Sequence, residues 1–189
     1  MNIVSSPFAV RLDEVRAVFN SHNEAMLEHI KHTLLYDAYA PQLDDLEGAL
    51  RHIIFGKPRT GKPQEYGYAL MCICSCLGQA LTFEQCEVFL WGENTEEVNM
   101  LLNRQGVSPN IDDMIKPIYT FDIPVYEGWP AIGGYTREEV AQLQVQLARV
   151  SVSPPDEDDF DEVQWELWVF KRAVAYCAEK GMDWVTFVH

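Results

Sequence analysis

The sequence predicts an α+β fold, helix-rich and built as a single domain, on three observations. Strand-like segments stand near both ends of the chain, at residues 7–12 and 184–188. Between them, apolar residues recur mostly at helical spacing. No Pro-, Gly- or Ser-rich stretch divides residues 1–189 convincingly, and no internal repeat is visible. With 189 residues, 48% of them apolar, the chain can bury a substantial core.

Phe8 and Val10 alternate with Ala9 and Arg11, which reads as a short opening strand. Leu12, Val15, Val18 and Phe19 then fall at helical spacing. Ser21 is positioned to cap a second helix carrying Met26, Leu27, Ile30 and Leu34. Leu43, Leu46, Leu50, Ile53 and Ile54 mark a third helix, which Gly56 can end by taking a left-handed conformation. Residues 57–64 hold two prolines and an internal glycine and must turn.

Residues 65–79 are apolar on nearly every face, which favours a buried helix over a buried strand. Residues 83–91 read as a strand or short helix. Asn94 or Thr95 caps a helix through Val98, Leu101 and Leu102 that stops at Gly106. Residues 118–126 have strand composition, with Pro124 pushing the strand to an edge or ending it. Thr136 and Glu139 form a capping box before Val140, Leu143, Leu147 and Val150. An acidic linker at 151–161 leads into a long helix that Gly181 stops before the closing strand.

Charge narrows the functional classes. Twenty-nine acidic against fourteen basic side chains give a formal net charge of −15, which repels nucleic-acid phosphates and anionic membranes alike. No apolar run is long enough for a membrane span, and the amino terminus does not resemble an export signal. Five cysteines, an odd number, suit a reducing compartment, so the expected location is cytoplasmic.

The acidic excess is densest in the linker and the helix start, at Asp156, Glu157, Asp158, Asp159, Asp161 and Glu162, with no Lys or Arg between them. In the helix that follows, Val163, Leu167, Phe170, Val174 and Cys177 share one face and should lie on the core. Trp165, Trp168, Val169 and Tyr176 lie on the other side, around Arg172. Indoles rimmed by carboxylates have the composition of a protein-binding hot spot, in which aromatics anchor and charge steers. A second layer that covers the indoles, and a solvated acidic loop without a partner, are the plainer alternatives.

Other chemistry finds weaker footing. The acidic run lacks the ligand spacing of a calcium loop. Residues 56–62 copy the first seven positions of a phosphate-binding loop, but Pro63 removes the hydroxyl and the N–H expected at the eighth. Cys72, Cys74 and Cys76 lack zinc spacing and read as buried thiols, and His29 with His32 read as a surface pair. No metal or cofactor is expected. His52, Glu65, Tyr66 and Tyr68 could form an acid/base pocket, although no spacing ties a nucleophile to a base.

Several segments resemble the YfbM-like family of small uncharacterised bacterial proteins. They are Tyr126-Glu127-Gly128-Trp129, with Glu127 where that family usually has Pro, and Leu43-Asp44-Asp45. The others are the helix end from Ala49 to Gly56, the aromatic helix and the final strand. Residues 57–110 depart from that pattern. The resemblance implies a compact α+β fold with a small mixed or antiparallel sheet flanked by helices, and it supplies no active site.

The function expected from these observations is an acidic, cytoplasmic bacterial protein-binding protein, an immunity protein or antitoxin that neutralises a basic toxin effector. A small-molecule enzyme with a pocket near His52, Glu65, Tyr66 and Tyr68 is the alternative from another class. Self-association through Trp165 and Trp168 is the third.

Overall fold

The two ends of the chain meet in the middle of one sheet. In the computed structural model, which describes residues 4–58, 60–81, 89–90, 95–107, 121, 123, 130–152 and 161–188, strand β1 (Val4–Val10) pairs antiparallel with β5 (Asp183–Val188). The register runs from Ser5 opposite Val188 to Val10 opposite Asp183. Strand β4 (Ala131–Tyr135) pairs with the far side of β5. Two short strands, β2 (Gln79–Ala80) and β3 (Phe89–Leu90), pair successively with the free side of β1. The described sheet is thus antiparallel and four lanes wide.

Strand periodicity then divides the core in two. Phe8, Val10, Val185 and Phe187 point into one hydrophobic cluster, whereas Ala9, Trp184 and Tyr135 point into another. The first cluster is closed by α1 (Leu12–Val18), α2 (Glu24–Lys31), α4 (Leu46–Phe55) and α5 (Pro63–Leu77), with α3 (Leu34–Tyr39) packed alongside α5. The second is closed by α6 (Thr95–Arg104), α7 (Arg137–Leu147) and α8 (Glu162–Lys180). A sheet buried on both faces explains why every residue of β5 is buried. The α+β expectation therefore holds, in the form of helices, sheet and helices in three layers.

Local signals placed most elements. Gly56 ends α4 at φ +66°, Gly181 ends α8 at φ +62°, and Thr136 and Glu139 close a capping box on α7. Residues 65–79 are mostly the helix expected, with Glu65 through Cys74 all buried. Three expectations need correction. The expected second helix is two helices, because the Thr33 hydroxyl donates to the Ile30 carbonyl at the end of α2 and accepts from Tyr36 N at the start of α3. Leu34 is accordingly 89% exposed. Asn23, rather than Ser21, caps α2 by accepting from Met26 N at 3.0 Å. Strand β1 begins three residues before Pro7, since Ser5 and Ser6 continue the pairing with β5.

The strand expected at residues 118–126 falls almost wholly outside the described residues, as do most of residues 83–91 and the Tyr126–Trp129 segment. Strand β4, by contrast, carried little sequence signal, because Gly133 and Gly134 depress strand propensity.

Two buried carboxylates fasten this architecture. Asp183, at the first position of β5, accepts from Leu12 N at 2.8 Å and from Arg137 N at 2.7 Å, the first residues of α1 and α7. One side chain thereby satisfies orphan donors at two helix starts in opposite layers, where the helix dipoles favour a negative charge. Arg137 also reaches Asp13 on α1 at 3.6 Å. Glu65 does the same within the first layer, accepting from Asp45 N at 3.1 Å and Lys62 N at 2.9 Å, the cap residues of α4 and α5.

Candidate functional site: the outer face of the last helix

Helix α8 starts where its sequence permits. Asp161 Oδ1 accepts from Val163 N at 2.9 Å and Gln164 N at 3.1 Å, so one of the six expected steering acids also serves as the N-cap. Glu162 follows in the first turn, and both side chains are exposed. Asp156, Glu157, Asp158 and Asp159 lie outside the described residues. A seventh acid, Glu166, is buried and stands apart from the exposed rim.

The inner stripe is as the spacing predicts except at its first member, Val163, which is only half-buried against the core. Leu167, Phe170, Val174 and Cys177 are fully buried, and Phe170 joins Tyr135 and Trp184 in an aromatic cluster with centroid separations of 5.6 to 6.5 Å. Trp165, Trp168 and Tyr176 occupy an intermediate position, packed against the edge of the second core while part of each remains accessible. Val169, expected beside them, is buried. The Arg172 guanidinium lies 4.7 Å from the Trp168 ring centroid, one turn further along the helix. Lys171 is turned away from this face and donates to the Val150 carbonyl at 2.6 Å, just past the end of α7.

The charge is unevenly divided along the sequence. Residues 1–94 hold twelve acidic and seven basic side chains, a net of −5. Residues 95–189 hold seventeen and seven, a net of −10. In the first layer, Lys31 bridges Glu28 and Glu47, Arg51 bridges Glu47 and Glu24, and Lys62 pairs with Asp44.

The alternative pocket resolves differently. His52 Nδ1 and the Tyr66 hydroxyl are 2.8 Å apart, and the hydroxyl also accepts from Gly61 N at 3.0 Å. Glu65 lies beside them with its oxygens on the Asp45 and Lys62 amides. A Cβ on Gly61 would come within 2.8 Å of Glu65 Oε2, so a side chain there would displace that carboxylate from the Lys62 amide. Tyr68 stands apart, its ring 4.6 Å from that of Tyr39, and burial pushes both hydroxyls up from their ordinary values. Three of the four side chains therefore meet, and their polar atoms clamp a loop.

The remaining motifs take structural places. Gly56 and Lys62 of the phosphate-loop look-alike are a helix C-cap and a helix N-cap. Cys72 and Cys74 are fully buried and reduced, with burial pushing the Cys72 thiol up to about 12 and Cys74 higher still. His29 and His32 are exposed. Among the described residues no three His, Cys, Asp or Glu side chains converge as metal ligands, and no helix is long and apolar enough to cross a membrane. Asp183 is the residue that sequence reasoning missed, its one signal being a carboxylate opening an otherwise apolar strand.

The chain belongs to a family described as a domain of unknown function (DUF7691), whose model matches residues 1–189. No curated protein and no solved structure matches it. The family description says nothing of the YfbM-like proteins that the sequence resembles.

Proposed function

We propose that this chain is an acidic cytoplasmic protein-binding protein of the immunity-protein or antitoxin kind, which neutralises a basic effector by docking on it through the start and outer face of α8. One observation carries the reading: partly accessible indoles at Trp165 and Trp168 lie on the helix that begins with exposed Asp161 and Glu162, in the half of the chain with net charge −10. Asp156, Glu157, Asp158, Asp159, Asp161 and Glu162 would steer a cationic partner, and Trp165 and Trp168 would anchor it. Steering of this kind acts on the association rate and weakens with salt, whereas aromatic anchors act on dissociation.

The test is capture of partners from the native host on the immobilised chain, followed by kinetics with the protein recovered. Changing the six acids to Asn and Gln keeps a capping side chain at position 161. It should slow association by at least about tenfold at low salt and flatten its salt dependence. Unchanged kinetics in that variant would remove the acids from the docking surface.

A further inference from the structure

The outer face of α8 already holds a guanidinium. Arg172 is exposed, yet its side chain folds back one turn and sets its guanidinium 4.7 Å from the Trp168 ring centroid. Helical side chains lean toward the helix N-terminus, so Trp168 lies under the natural reach of Arg172. One face of a half-buried indole is therefore open to a planar cation from the solvent side. The residues around it extend the same row. Asp161, Trp165, Trp168, Arg172 and Tyr176 follow one another at steps of three or four along α8, which brings exposed acids, partly accessible rings and one cation into a single stripe.

We infer, resting on the docking reading above, that this stripe selects arginine over lysine on the partner, and that Arg172 holds the place of the partner's guanidinium in the free chain. Asp161 and Glu162 attract either cation by charge, so they do not choose between them. The rings do. A guanidinium is flat and more weakly hydrated than an ammonium, so it stacks on an indole with less loss of solvation, and Trp is the strongest of the aromatic partners for a cation. A partner arginine exchanges like for like on Trp168 and releases Arg172 to solvent. A partner lysine would replace the stacked guanidinium with a weaker contact, and Trp165 would offer it no compensation.

The test uses the full chain and two dye-labelled probes, hexa-arginine and hexa-lysine peptides, with binding read by fluorescence anisotropy at matched ionic strength. The parent should bind the arginine peptide about two- to fivefold more tightly than the lysine peptide. Trp168→Leu should erase that preference and leave the lysine affinity in place. Arg172→Lys keeps the charge of the face while weakening the internal competitor, so it should widen the preference by about twofold. Its exposed position spares the fold. Equal affinity for the two peptides, a preference that survives Trp168→Leu, a preference that Arg172→Lys does not widen, or no binding of either peptide would each overturn the inference. The docking reading is scored separately, by whether neutralising the six acids weakens the lysine peptide.

Discussion

The two helical layers cover one sheet with opposite surface chemistry. In the first, α1 to α5 enclose the larger core, and outward acids such as Glu24, Glu28, Asp44 and Glu47 find Lys31, Arg51 or Lys62. In the second, α6 to α8 leave large aromatics at the rim of their core, in the half of the sequence whose net charge is −10 against −5 for residues 1–94. Both layers are required to bury the sheet, so stability does not explain the asymmetry. Several acids of the first surface are paired with its own cations, whereas the proposed docking face on the second is defined by half-buried indoles beside exposed Asp161 and Glu162.

Asp183 is where the comparison breaks most readily, because it joins the layers. Asp183→Ala removes the acceptor for two helix starts and leaves buried N–H groups, at a cost of roughly 3–5 kcal/mol. Urea unfolding should show both layers losing stability in one transition. Loss of stability confined to one layer would mean that this carboxylate does not hold both helix starts.

Glu65→Ala is the contrasting change, since both its partners belong to the first layer. It should cost about 2–3 kcal/mol. Hydrogen exchange should quicken at the Asp45 and Lys62 amides while α7 and α8 keep their protection. Tyr66→Phe, which takes away the hydroxyl shared by His52 and Gly61, should cost roughly 1 kcal/mol and loosen the same loop. Limited proteolysis at residues 56–62 would check it.

The surface ion pairs should give the smallest effect, and it depends on pH. The hydrogen bond from Arg51, ahead of that from Lys31, holds the Glu47 carboxyl below its ordinary value of 4.5. A carboxylate depressed on folding stabilises the protein above its unfolded value, and the contribution disappears as pH falls from about 4.5 through the folded value. Arg51→Met should therefore lower the unfolding midpoint slightly above about pH 4.5, less so in salt, and converge on the parent as pH falls further, which flattens the acid limb. An acid limb identical to that of the parent would show that the pair is not formed in solution.

Much of this fold was legible because its signals are local. Gly56, Gly181 and the Thr136–Glu139 box each act within one turn, and the Leu167, Phe170, Val174 stripe follows from the helical period alone. Strand β4 was not legible, because its place comes from pairing Gly133 with Thr186 across the sheet and not from its own side chains. The division of α2 from α3 turns on a single hydroxyl that bonds in both directions. At the candidate site, sequence spacing assigned Leu167 and Phe170 to the core correctly. The depth of Val169 and Glu166 depends on how the other elements of the second layer pack beside α8, contacts between distant segments. The roles of Asp183 and Glu65 were hidden for the same reason, each lying many residues from an amide it holds.

Collisional quenching of tryptophan fluorescence tests the α8 surface without knowledge of a partner. Trp91 and Trp129 would be changed to Phe, leaving fully buried Trp184 as a silent background to Trp165 and Trp168. At matched ionic strength, cesium should quench the remaining emission more strongly than iodide, because carboxylates around the indoles concentrate cations there. Iodide quenching that equals or exceeds cesium, or emission that neither ion reaches, would contradict an accessible aromatic surface in a negative field.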